Sequence, residues 1–181
     1  MCQEEFNFVE LLKNRRSIRK FKDLKVEEEK IDQLIKSALL APTSRNNRPW
    51  EFIIVQQQET LTKLSEAKEH GSAFLKGAPL AVVVLADPAA SDVWIEDASI
   101  ASVILQLTAE RLDLGSCWVQ IRKRRHKSHQ NSEQYVRELL HIPDQKRVES
   151  IIGIGYPAES KPPYTEEELD YNKVFTEKYK I

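Results

Sequence analysis

The sequence predicts a sandwich of the α/β or α+β class, with helices layered on a sheet. Three observations carry that reading. Short apolar runs at 50–55, 80–86, 116–121 and 148–155 read as strands. Between them lie stretches whose apolar residues recur at helical spacing. One of these, 94–112, is apolar on most faces, which makes it a central helix buried against the sheet. At 181 residues the chain is long enough for one domain with its own core.

The elements follow in order. Residues 6–14 form a short helix with Phe8, Leu11 and Leu12 on one side. A helix over 26–40 presents Ile31, Leu34, Ile35, Ala38 and Leu39 on a single face, and Pro42 ends it. A polar loop leads into the strand that opens at Trp50. A helix is expected over 61–70, then an irregular or briefly helical stretch over 71–78. The Val82-Val83-Val84 run marks a strand buried on both faces. Gly115 breaks the central helix. A helix over 132–140 starts with a serine cap at Ser132, and a strand over 148–155 follows. Pro157, Pro162 and Pro163 then keep the remainder extended. That arm, 157–181, either clasps a partner subunit or drapes over its own domain.

Charge narrows the function classes. Lys and Arg total 27 against 28 Asp and Glu, a net charge of -1. Such a balance argues against a general binder of nucleic acid or anionic membrane. Cys2 and Cys117 make neither a disulfide framework nor a zinc spacing. The acidic N-terminus lacks the order of a signal peptide, and the longest apolar run is too short to span a bilayer. The default expectation is a cytoplasmic protein. His70, His126, His129 and His141 fit no metal or triad pattern, and no phosphate-binding glycine motif is present. Glu96-Asp97 is an acidic pair that nothing marks as an acid/base couple. An enzyme of this kind would leave the hard chemistry to a cofactor.

Three clusters can carry such a cofactor. Arg15-Arg16-Ser17-Ile18-Arg19 offers planar forks and a hydroxyl, which suit a terminal phosphate monoester. A solvated charge cluster is the plainer reading of the same run. Thr43-Ser44-Arg45-Asn46-Asn47-Arg48 is a helix-stop loop in which Asn46 offers a donor and an acceptor to a ring edge. Gly115, before Ser116, and Gly155 would let backbone approach a flat ligand, although each taken alone reads as a plain loop. Arg122–Lys127 is a basic run to which no role is given.

In this order the clusters resemble the nitroreductase family of flavin-dependent oxidoreductases. The resemblance runs from about Phe8 to Tyr164. It rests on Arg15–Phe21, on Ala41–Ser44 with Asn46 and Pro49-Trp50, on Leu114–Trp118, and on Gly155-Tyr156-Pro157. It implies a three-layer α+β sandwich whose central sheet is mixed and mostly antiparallel, with the C-terminal arm reaching the partner. It implies FMN at a homodimer interface, NADH or NADPH as hydride donor, and a nitroaromatic, quinone or similar acceptor in a ping-pong cycle. Carried over by position, Arg15, Arg16 and Ser17 hold the FMN phosphate and Arg19 lies toward the pyrimidine. Asn46 bonds the isoalloxazine, Ser44 lines the same loop, and Gly115 and Ser116 form a backbone shelf. Lys173 stands for a late basic residue. Arg48 replaces the family's usual Gln before Pro-Trp, so an amide contact there gives way to a cation. A non-catalytic FMN-binding protein is the competing reading.

Overall fold

A computed structural model describes residues 7–128 and 131–179; Cys2, His129 and the acidic start of the chain lie outside them. Its helices are α1 (Phe8–Asn14), α2 (Glu28–Leu39), α3 (Gln58–Leu64), α4 (Trp94–Arg111) and α5 (Ser132–Leu140). Its strands are β1 (Trp50–Val55), β2 (Leu80–Ala86), β3 (Gly115–Gln120) and β4 (Arg147–Gly155). They form one sheet in the order β1-β2-β4-β3, and every neighbouring pair is antiparallel. Among the described residues the parallel component is a single bridge, Ser17 to Ser116.

The sheet is covered on both faces, which makes three layers. Along β2, Leu80, Val82, Val84 and Ala86 point to α2 and α4, while Ala81, Val83 and Leu85 point to α3 and α5. Alternation along a strand sends successive side chains to opposite faces, so a strand buried on both must be apolar throughout. Each buried Val, Leu or Ile contributes roughly 1.5–3 kcal/mol relative to an exposed one.

Several local expectations shift. α3 begins at Gln58 and stops at Leu64, earlier than the apolar spacing predicts. The Ser72 hydroxyl donates to the Ser65 carbonyl at 2.8 Å and holds residues 65–72 in a turn. Leu61, Leu64 and Ala67 stay fully buried, so the period continues after the helix has ended. α5 is capped by Asn131, whose side chain accepts from Gln134 N at 2.8 Å, and not by Ser132. The Ser132 hydroxyl instead donates to the Arg125 carbonyl. α4 buries Ala98, Ala101, Leu105 and Ala109, yet leaves Ile100 and Val103 exposed.

β2 and β4 slip register between Val84 and Leu85, which leaves Glu149 as an extra residue. The amides of Ile121 and Arg122 both donate to its carbonyl. Its carboxyl is only 4% exposed. Oε1 accepts from Gln120 Nε2 at 2.9 Å, while Oε2 has no partner among the described residues. Burial pushes this carboxyl above the ordinary value of 4.5, against the pull of Gln120 and Arg122. The folded chain therefore keeps a proton that the unfolded chain has released. That contribution to stability is complete below 4.5 and is lost as pH rises through the folded pKa. Glu149→Gln is expected to gain stability over the parent as pH rises. Thermal melts at pH 5 and pH 8 check this; curves that run parallel would mean Glu149 ionises normally.

Candidate functional site

After α1 the chain runs extended along β3. Ile18 N donates to the Ser116 carbonyl at 2.9 Å, and Lys22 N to the Tyr156 carbonyl at 2.8 Å. Two glycines make this seat. A Cβ on Gly115 would stand 2.8 Å from Ile18 Cβ, and one on Gly155 would stand 2.5 Å from Pro79 Cδ. The bare backbone at Gly115 and Gly155 thus admits the protein's own chain. Gly115 and Ser116 support the Arg15–Arg19 segment from below.

An extended segment sends alternate side chains to opposite sides. Arg15, Ser17 and Arg19 share one side, gathered about the buried Cys117 thiol. Burial pushes that thiol above its ordinary 9.0, against the Arg19 charge, a hydrogen bond from Ser17, and the Lys161 and Arg15 charges. Lys161 donates from Nζ to the Ser17 carbonyl. Glu110 edges the cluster; burial pushes its carboxyl up while Arg15 pulls it down. Glu159 accepts from the backbone amides of Arg19 and Lys20, at 2.6 and 3.2 Å. Arg16 faces the other way. Its guanidinium donates to the Pro162 carbonyl and lies 4.2 Å from the centre of the Tyr164 ring.

The late basic residue in this cluster is Lys161. Lys173 stands on an exposed turn and pairs with Asp170 at 3.3 Å. The sequence signal for Lys161 was its place just before Pro162-Pro163, on a stretch that cannot fold away from β4. The arm itself divides in two. Up to Glu166 it lies on its own chain, through Ala158 N to Lys20 O, Tyr164 N to Lys13 O, and Lys13 to Glu166 at 2.5 Å. Beyond that, Tyr171, Val174 and Tyr179 are exposed.

The loop carrying Asn46 sits elsewhere. Arg45, Asn46 and Arg48 adopt φ values of 50°, 58° and 48°. That left-handed region costs a residue with a side chain roughly 1–2 kcal/mol. Strain of this kind persists where surrounding bonds hold it. Here Asp97 accepts from Ser44 N at 2.9 Å and from the Ser91 hydroxyl at 2.8 Å. Thr43 Oγ1 accepts from Arg48 N at 3.0 Å, and Arg48 Nε donates to Asn46 Oδ1 at 2.9 Å. Arg48 therefore orients Asn46, whose side chain is exposed. Asp97, read from sequence as half of an unmarked acidic pair, is the anchor of this loop.

The two clusters lie at opposite ends of α4. Asp97 holds one and Glu110 edges the other, and the helix rise between them is about 20 Å. Within one chain they do not meet. Exposed apolar side chains stand on the three helices beside them: Val9 and Leu12 on α1, Leu39 and Leu40 at the end of α2, and Ile100 and Val103 on α4. Leu40 is 82% exposed. Single exposed apolar residues are ordinary, whereas several on neighbouring helices are the composition of an interaction surface.

Among the described residues no group of His, Cys, Asp and Glu is placed to hold a metal ion. No described helix is long and apolar enough to cross a membrane.

Comparison with known proteins gives the context. The nitroreductase family model matches residues 12–71 and 62–156. An FMN-dependent nitroreductase from Clostridium difficile R20291 is similar in structure, with a TM-score of 0.93 and 49% identity, covering 95% of this chain and 100% of that one. An Archaeoglobus fulgidus protein provisionally named NADH dehydrogenase/NAD(P)H nitroreductase is 35% identical over 176 residues, covering 94% of this chain and 98% of its own length. Iodotyrosine deiodinase from Thermotoga neapolitana is 26% identical over 188 residues, covering 88% of this chain and 94% of its own. With most of its length matched and its sheet, central helix and Arg-Arg-Ser segment arranged as described, the chain belongs to the nitroreductase family.

Proposed function

We propose that this protein is an FMN-dependent oxidoreductase. It takes hydride from NADH or NADPH and passes electrons to a small acceptor such as a nitroaromatic or a quinone. The observation that carries this reading is the cluster of Arg15, Ser17, Arg19 and Lys161 around Cys117, at the seam between the N-terminal segment, β3 and the arm. Three cations and a hydroxyl on one side of this seam fit a phosphate monoester, for which planar guanidinium donors and an ammonium suit the charge and shape.

FMN, when bound, supplies the two-electron chemistry that no side chain here provides. The chain's own residues bind and orient it. Arg15, Ser17 and Lys161 hold the phosphate. Arg19 lies on the same side, one alternation further along, and its charge faces the pyrimidine end. Arg16 fastens the arm over the cluster instead of holding phosphate. Asn46, Ser44 and Arg48 lie too far away in the same chain, so they reach the ring from the second copy of a homodimer. The uncovered face of α1, α2 and α4 is the surface on which that copy packs. The exposed end of the arm, from Leu169 to Tyr179, extends onto it. Hydride donor and acceptor would use the same space over the ring in turn, which gives ping-pong kinetics. The likeness to a deiodinase means that the fold alone does not choose the acceptor.

The test is an absorption spectrum of the purified protein, followed by anaerobic addition of NADH or NADPH. An oxidised-flavin band that bleaches with either nucleotide is expected. A band that neither nucleotide bleaches would favour the binding-protein reading. No band after FMN is added back would overturn the assignment.

A further inference from the structure

The run Arg122–Lys127 plays no part in the reading above, yet it is not a loose tail. Arg124 N donates to the Ile121 carbonyl at 3.1 Å, and Ser132 N donates to the Arg124 carbonyl at 2.9 Å. The Arg125 carbonyl accepts from the Ser132 hydroxyl at 3.0 Å and from Glu69 N at 3.4 Å. The His126 ring stacks on Tyr135 with centroids 4.2 Å apart. The loop backbone is thus pinned against α5 and the turn after α3.

Arg122 lies over the Trp94 ring and acts on the Glu149 carboxyl, but among the described residues the side chains after it are not paired with carboxylates. Lys123, Arg124, Arg125 and Lys127 are exposed. Among the described residues none of them, nor Lys68, makes an ion pair with a carboxylate. Lys68 is half-buried beneath the loop. Burial lowers its pKa first and the neighbouring Arg124 charge lowers it further. A fixed backbone that holds like charges together without a counter-charge is preorganised for an anion.

The position gives that anion a context. β3 is an edge strand. Cys117, at its middle, feels the Arg15, Arg19 and Lys161 charges and interacts with Lys68 as well. Lys68 in turn meets Arg124. Moving along β3 from the phosphate cluster, the edge therefore leads to Lys68 and the basic loop.

We propose that Lys68 and the Arg122–Lys127 loop form an anion-recognition rim at the open end of the flavin site, selecting molecules that carry a phosphate or carboxylate. The 2′-phosphate of NADPH is one source of that group, and an acidic aromatic acceptor is the other. This inference rests on the flavin reading for its context but not for its test.

The test uses the purified dimeric protein, its Arg124→Glu and Lys123→Glu variants, and calorimetric titration. Adenosine 2′,5′-bisphosphate is compared with AMP, and 4-nitrobenzoate with 4-nitrobenzamide. In at least one pair the more anionic member should bind the parent roughly ten- to a hundredfold more tightly. The ratio should shrink as salt is raised and fall toward unity in either variant. The pair that responds identifies the source of the anion. No preference in either pair, or a preference that both variants keep, overturns the rim. Anaerobic bleaching of the same parent preparation by NADH or by NADPH separates the two readings. Selective binding without bleaching leaves the rim standing and removes the oxidoreductase assignment; bleaching without selective binding does the reverse.

Discussion

Leu40→Glu combined with Val103→Glu is expected to give a folded monomer that loses its flavin. Both side chains are exposed in the single chain, at 82% and 45%, so neither change disturbs the protomer's core. In a two-fold dimer each substitution appears twice, which places four carboxylates in an apolar interface. Leaving a polar group buried and unpaired costs about 1–3 kcal/mol, and more for a charge. Four such costs would raise the dimer dissociation constant by at least about a thousandfold. Light scattering reads the oligomeric state, and flavin absorbance after desalting reads retention. A dimer that survives would place the interface elsewhere. A monomer that keeps its flavin would mean that one chain holds the whole site, against the ~20 Å that separate Asn46's anchor from Glu110.

Arg15→Glu is expected to weaken FMN binding by at least about a hundredfold. It removes a charge-assisted bond and sets a carboxylate beside a phosphate dianion; each of these effects is on the order of 1.5–3 kcal/mol. The alternation of the segment sharpens the experiment. Arg16→Glu lies on the opposite side, against Pro162 and Tyr164, and should mainly loosen the arm. Lys161→Glu should behave like Arg15→Glu, and Lys173→Glu should retain FMN like the parent. Fluorescence titration of the flavin-free protein with FMN measures all four. Equal losses for Arg15→Glu and Arg16→Glu would show that both arginines hold the phosphate, and would dismiss the two-sided arrangement.

Much of the fold was legible because its strands are apolar throughout. Val82-Val83-Val84 cannot be half-exposed without cost, so β2 had to lie inside a layered sheet. The end of α3 was not legible, because a hydroxyl seven residues beyond Ser65 decides it while the apolar period runs on. The Arg15–Arg19 segment was legible as residue types but not as a geometry. Arg15, Arg16 and Ser17 look equivalent in a string; an extended backbone separates them by side. Lys161 and Lys173 are likewise interchangeable by composition, and only the contact of Lys161 with Ser17 distinguishes them. Asn46 was found by type, whereas its left-handed backbone, with those of Arg45 and Arg48, depends on the distant Asp97. The uncovered side of α4 was read as interior, which holds for Ala98 and Leu105 but not for Ile100 or Val103.

The seating of Ile18 over Gly115, and of Phe21 beside Pro157, has a consequence for biosynthesis. The segment bearing Arg15 and Ser17 is made early, but its dock is β3 and the Lys161 that bonds Ser17 comes 144 residues after it. All four strands are complete at Gly155, before Lys161 has been added. The sheet and the seat for the N-terminal segment both depend on β4, so that segment cannot dock until the C-terminal part of the domain has been made. The Arg15–Ser17 segment is therefore made long before any of the partners that hold it, and it waits undocked until residues 115–161 exist.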